Sequence, residues 1–276
     1  MSRLSPSNRW RPILVLWALA AGGFVAVAVP AYRSGNTLGH PAIVTGYSLF
    51  AILVFLLLFN ARKRLPMLPL GRAHWWTLAH SVAGILAAAL FFLHAETVWP
   101  NSTYERAMTL LFYVATLSGI FGYVIQRLYP KRLTGTRLEV IYERIPLELA
   151  ELREKAESVV LRCTKEARSE TLARYYVETF EWFFRQPRFL ISHLTGAHKS
   201  NYWIEHRIAN SRQYLNEFEA EFLVELHALA EEKDKIDFHF VAQRLMKGWL
   251  LVHVPSVAGL IVLVLWHLLI VNIYGL

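Results

Sequence analysis

His80-Ser-Val-Ala-Gly-Ile-Leu-Ala-Ala-Ala-Leu-Phe-Phe-Leu-His94 is an apolar run closed at both ends by histidine. His253-Val-Pro-Ser-Val-Ala-Gly-Leu-Ile-Val-Leu-Val-Leu-Trp-His267 repeats the pattern with the same separation. On a helix, that separation returns the second histidine to within roughly 40° of the first, about 21 Å further along the axis. Both histidines of a run therefore lie on one face, one near each side of a bilayer. Two such helices side by side and of one polarity present two facing His–His pairs at two depths.

The rest of the chain supplies the helices around these two. Apolar runs cover about Ile13–Tyr32, Ala42–Phe59, Trp75–Val98, Ala107–Leu128 and Trp249–Ile273. Each is near the length of about 20 residues that a spanning helix needs. The first is too long for a signal-peptide core, and Ala-Val-Ala before Val29-Pro30 is a weak cleavage match, so it reads as an uncleaved span. The expected fold is all-α: a five-span transmembrane helical bundle with a helical cytoplasmic domain inserted between spans four and five. The division is residues 1–130 for spans one to four, 131–247 for the inserted domain and 248–276 for span five.

Charge assigns the sides. The formal net charge is +8, yet residues 131–247 hold 19 basic and 19 acidic side chains. The excess belongs to the membrane half, where Glu96 and Glu105 are the only acids. This distribution argues against a nucleic-acid partner and reports topology. Arg3, Arg9, Arg11, Arg62, Lys63, Arg64, Arg72 and Arg127 fall on one side, and only Arg33 and Arg106 on the other. The positive-inside rule then places the N-terminus and residues 131–247 in the cytoplasm and the C-terminus outside, with the third and fifth spans parallel. An integral protein of a bacterial inner membrane, surrounded by lipid, is the expectation.

The inserted segment reads as helical. Leu138–Lys165 is amphipathic, with Pro146 in the first turn of its main helix, and a second helix covers Glu170–Arg185. A third is expected from about Asn201 to Glu232, with Tyr214, Phe218, Phe222 and Leu226 on one stripe. Asp234 or Asp237 would cap a last helix leading into the fifth span.

A histidine inside a span is costly to bury and is a functional hypothesis by default. A structural or proton-path role suffices for one such residue; four in two equally spaced pairs point to ligands. Each pair within a run is too widely separated to share one zinc ion. Parallel helices match His80 with His253 and His94 with His267, which is the geometry that holds two haems stacked across a membrane. Cys163 is the only cysteine, so covalent CxxCH attachment and an all-Cys iron–sulfur cluster are excluded, as is an internal disulfide. The haems would be two non-covalent b-type groups. No G-x-G-x-x-G and no P-loop occur. Gly84 and Gly259 have two readings of equal weight: room for a porphyrin against the backbone, or ordinary small-residue packing. Gly119 and Gly122 share that ambiguity. Arg72 and Arg106 stand where haem propionates would emerge, although snorkelling anchors are the commoner explanation. His193, His198 and His206 lack acidic or cysteine partners at ligand spacing in the sequence and are not expected to form a metal cluster.

The paired H-x13-H signature resembles that of membrane cytochromes b. These include the b subunit of quinol–cytochrome c oxidoreductases and, more loosely, formate-dehydrogenase-like cytochromes. Placement on the third and fifth spans resembles the membrane core of ferric reductases and NADPH oxidases, over about Trp75–Leu128 and Trp249–Leu276. The resemblance implies that His80, His94, His253 and His267 are axial ligands. It implies a dihaem b-type cytochrome carrying electrons between a quinone pool and redox partner proteins, such as a c-type cytochrome or an iron–sulfur protein, as a subunit of a redox complex. Quinol-oxidising cytochromes b differ by carrying ligands on the second and fourth spans and lacking the insert. NADPH oxidases differ by continuing into a sixth span and a flavin/nucleotide domain, so reduction by NADPH is not expected of this polypeptide. A quinol-oxidising or metal-reducing oxidoreductase subunit is the alternative within redox chemistry; a haem-free transporter or scaffold is the alternative outside it.

Overall fold

The computed structural model describes residues 10–36, 40–64 and 71–274. Arg3 and Arg9 of the basic group lie outside the described residues. The described chain is all-helical, without strands. It comprises α1 (Arg11–Asn36), α2 (Pro41–Arg64), α3 (Ala73–Ala95), α4 (Thr103–Gly135), α5 (Ile145–Ala167), α6 (Thr171–Tyr175), α7 (Glu181–Phe184), α8 (Leu190–Thr195), α9 (Lys199–Arg212) and α10 (Glu217–Tyr274). Among the described residues, five helices are long and apolar enough to cross a membrane: α1, α2, α3, α4 and α10. Contacts divide the chain into two compact units, one of Met1–Tyr123 with Leu251–Leu276 and one of Val124–Leu250.

In the first unit α1, α2 and α3 pack on one another. Its core joins Leu49 and Leu53 of α2, Ala87, Leu90 and Phe91 of α3, Phe112 and Ala115 of α4, and Leu260 of α10. The Phe91 and Phe112 rings stack at 4.1 Å. Leu14, Val15, Leu19 and Val25 of α1 are exposed. A helix apolar all round is at ease in hydrocarbon, where exposed leucine and valine carry no hydration cost. Glu96 ends α3 in the left-handed region (φ 51°), its N–H returning to the Phe92 carbonyl.

The second unit has an aromatic core. Phe180, Phe183 and Phe184 are fully buried with Val159, Leu172, Ile204 and Leu226. The segment from α6 to α7 stays helical through a π turn at Tyr176–Phe180. Pro146 sits in the first turn of α5, where its missing N–H costs no intrahelical bond.

Two sequence expectations need correction. The third helix of the insert does not run from Asn201 to Glu232. It breaks between Arg212 and Glu217, and the reason is a capping box. Asn216 Oδ1 accepts from Glu219 N at 2.7 Å, and Glu219 Oε2 accepts from Asn216 N at 3.2 Å. Tyr214 therefore lies outside the helix and is 70% exposed, while Phe222 and Leu226 are buried as the stripe requires. Next, Asp234 and Asp237 cap nothing, because α10 is continuous from Glu217 to Tyr274. Their carboxylates accept from residues packed against α10 instead: Ser200 donates to Asp234, and the Arg188 N–H to Asp237 at 2.9 Å. The helix that contains the fourth apolar run, α4, extends beyond it through Pro130 to Gly135. Tyr129 and Leu133 pack with Ala242, Phe238 and Leu245 of α10, which offsets the hydrogen bond lost at proline.

Lys233 and Asp237 form an ion pair at 2.5 Å with both side chains fully buried. Lys233 also donates to the Gln186 carbonyl at 2.9 Å and lies 4.0 Å from the Phe183 ring centroid.

Cys163 is buried in the aromatic core. Burial first, then the Glu219 and Glu166 carboxylates, pushes its thiol up to about 11. At pH 8 this leaves on the order of a hundredfold less thiolate than an ordinary cysteine, and the thiolate is the reactive form. Folded full-length protein at pH 8 is expected to stay unalkylated by iodoacetamide under conditions that modify the urea-unfolded chain completely. Intact-mass spectrometry checks this; rapid labelling of the folded chain would contradict the burial.

Candidate functional site

The four candidate histidines are held by two helices, His80 and His94 by α3, His253 and His267 by α10. All four are half-buried. The structure brings His94 and His267 together, with ring centroids 6.4 Å apart and ring planes at 81°. Two imidazoles bound to one metal ion through bonds of about 2 Å have centroids about 6 Å apart, close to that spacing. The donor set is two neutral-capable imidazoles on opposed helices, which suits a haem iron. The Tyr104 ring lies 6.4 Å from His267 at 19°, and its hydroxyl donates to the Leu263 carbonyl of α10. His80 packs beside Phe59 of α2 at 4.9 Å.

Two hydroxyls reach the histidines from neighbouring helices. Thr45 of α2, itself buried, has Oγ1 3.0 Å from His94 Nδ1. Ser118 of α4 has Oγ 2.9 Å from His253 Nδ1. A glycine follows each. A Cβ on Gly46 would lie 2.9 Å from His94 Cε1, a clash, and a Cβ on Gly119 would lie 3.5 Å from His253 Cε1, in ordinary contact. Gly46 is therefore required for the ring to lie against α2, whereas Gly119 is merely compatible with its ring. Thr45, Gly46 and Ser118 go beyond the histidines that spacing alone picks out. The signal for them is a hydroxyl–glycine dipeptide within an apolar run, Thr45-Gly46 in α2 and Ser118-Gly119 in α4.

The other candidates are placed as follows. Gly84 has no neighbouring atom within 4 Å of an added Cβ, so the surface of α3 is open there. Gly259 lies against α4, where a Cβ would come to 3.2 Å from Leu111 Cδ1. Arg72 is exposed at the start of α3, its carbonyl accepting from Trp75 N. Arg106 is exposed and donates Nε to the Pro100 carbonyl at 2.9 Å.

Comparison with protein families, with curated proteins and with solved structures finds no match.

In the second unit, His193, His198 and His206 form no ligand group among the described residues. His193 is buried 3.4 Å from Asp234, and burial holds its imidazole below the usual range against the opposing pull of that carboxylate. The one group with metal-ligand spacing there is Glu205, His227 and Glu231, whose ligand atoms lie within 4.8 Å of one another. His227 Nε2 is 3.2 Å from Glu205 Oε1, and both carboxylates are exposed. Glu205 reaches His227 from a different helix, α9 against α10, so sequence spacing does not display the group.

Proposed function

We propose that this chain is a bis-histidine dihaem b-type cytochrome that carries electrons across a membrane. The carrying observation is the approach of His94 and His267 to 6.4 Å, from equally spaced histidine pairs on two separate helices. His94 and His267 would hold one haem, His80 and His253 the other. Bound haem supplies one-electron chemistry, with its potential set by ligation, second-shell hydrogen bonds and burial. The chain's own residues fix the ligands. Thr45 and Ser118 anchor one histidine of each pair, and Gly46 clears space for the His94 ring. With two imidazoles filling the iron positions that the porphyrin leaves open, the arrangement would favour electron relay over chemistry on oxygen.

The proposed topology has five spans, α1, α2, α3, α4 and the apolar end of α10, with residues 131–247 as a cytoplasmic domain between the last two. The basic residues gathered on one side of the spans support it. Electrons would enter from quinol or from a redox partner protein.

The test is haem content. Pyridine haemochrome measurement on full-length protein, expressed with adequate haem supply, is expected to give about two b-type haems per chain, one for each pair of imidazoles. A value near zero would sink the reading in favour of a haem-free transporter or scaffold.

A further inference from the structure

A hydroxyl lies beside Nδ1 of both His94 and His253. Thr45 Oγ1 lies 3.1 Å from the Pro41 carbonyl and 3.3 Å from the Ala42 carbonyl, both on its own helix. Ser118 Oγ lies 3.1 Å from the Ala115 carbonyl, again on its own helix. A hydroxyl has one proton and two acceptor lone pairs. A carbonyl oxygen can only accept; with the hydroxyl proton given to the carbonyl, the hydroxyl oxygen faces the histidine as an acceptor. In that arrangement the Nδ1 that faces the hydroxyl oxygen carries the hydrogen, and Nε2 keeps its lone pair.

We propose that Thr45 and Ser118 are positioning residues that fix His94 and His253 as Nδ1–H tautomers and so present Nε2 for metal ligation. The assignment rests on the haem reading for its purpose, though not for its geometry. The same device occurs twice, on two different helices, acting on one histidine of each proposed pair. Ligating histidines commonly donate their second ring N–H to a neighbouring acceptor, which orients the ring and makes the ligating nitrogen more basic. A more basic ligand favours the oxidised iron. Removing the acceptor is therefore expected to raise the midpoint potential of the haem concerned and leave the other where it was.

The experiment compares Thr45→Val, Thr45→Ser, Ser118→Ala and Ser118→Thr with the wild type, each as full-length protein in detergent. Optical redox titration is expected to show one midpoint raised in Thr45→Val and the other raised in Ser118→Ala. The expected change is on the order of tenfold in the one-electron equilibrium, about 59 mV. Thr45→Ser and Ser118→Thr, which keep the hydroxyl, restore the wild-type values. Should Thr45→Val or Ser118→Ala instead lose one haem while the hydroxyl-keeping variant retains both, the positioning role is equally supported. Two unshifted midpoints in haem-replete Thr45→Val and Ser118→Ala protein would overturn it, as would equal behaviour of the valine and serine variants at position 45. A second readout needs no haem: 15N spectra of histidine-labelled full-length chain are expected to show His94 and His253 protonated at Nδ1. Nδ1 protonation in a wild type that binds no haem would leave the tautomer assignment standing and sink the proposed function. Nε2 protonation there would sink the assignment itself.

Discussion

Alanine at His94 and alanine at His267 are expected to remove the same haem, each cutting haem content from about two per chain to about one. The two rings lie 6.4 Å apart, one on α3 and one on α10, so either substitution leaves a single imidazole where two are needed. The surviving ligand cannot borrow a partner from the far end of its own run, because the other histidine of that run lies about 21 Å along the axis. The double substitution should therefore cost no more haem than either single one. His80→Ala and His253→Ala are expected to remove the other haem in the same non-additive way. Difference spectra and haem quantification on all four variants give the result directly. If His94→Ala and His267→Ala removed spectrally different haems, the proposed pairing would be wrong even with two haems bound. Loss of both haems from every variant, with helicity preserved, would mean that the sites are not independent.

Lys233→Met is expected to destabilise the Val124–Leu250 unit by about 3–5 kcal/mol, the usual cost of removing one partner from a buried ion pair. Lys233 and Asp237 are fully buried and 2.5 Å apart. The ammonium also holds the Gln186 carbonyl and faces the Phe183 ring. Methionine approximates the volume and cannot donate. Asp237 would retain only the Arg188 N–H for its charge, in surroundings built of phenylalanine. Lys233→Met combined with Asp237→Leu removes both charges and is expected to recover most of the loss, since an apolar pair of similar volume is often as stable as a buried salt bridge. Chemical unfolding of full-length protein, followed by tryptophan fluorescence and by protease cleavage within residues 131–247, measures both. A single variant that unfolds at the wild-type denaturant concentration would show that water reaches the pair.

How much of this can be read from sequence depends on the range of the interaction. The apolar runs behind α1 to α4 are legible because spanning length is a local property, and the equal histidine spacing is legible because helical periodicity is local too. The start of α10 is also local: Asn216-Glu-Phe-Glu219 is a capping box in plain sight, and an apolar stripe that spans it argues wrongly for one helix from Asn201. The continuity of α10 past Asp234 and Asp237 is different. Aspartate reads as a cap in isolation, and only the partners brought by the fold, Ser200 and the Arg188 N–H, turn these carboxylates into interior groups. The same holds for Thr45 and Ser118. Each is an unremarked hydroxyl in an apolar run until packing sets it against an imidazole. His227 with Glu205 is likewise a product of α9 lying on α10.

The continuity of α10 bears on how the polypeptide can be made. Phe222, Leu223, Leu226 and Ala230 complete the aromatic core begun by α5, α6 and α7, and Ile236 completes the smaller core with Ile145, Leu149 and Leu152. A domain emerging from the ribosome folds only once its core residues have been synthesised. These follow the other elements of both cores in the chain, and an apolar stretch follows them in the same helix without a loop. Phe180, Phe183 and Phe184 therefore stay uncovered, at risk of aggregation, until the turns from Phe222 to Ala230 have been made. The folding of the Val124–Leu250 unit and the emergence of the apolar end of α10 thus fall close together in synthesis.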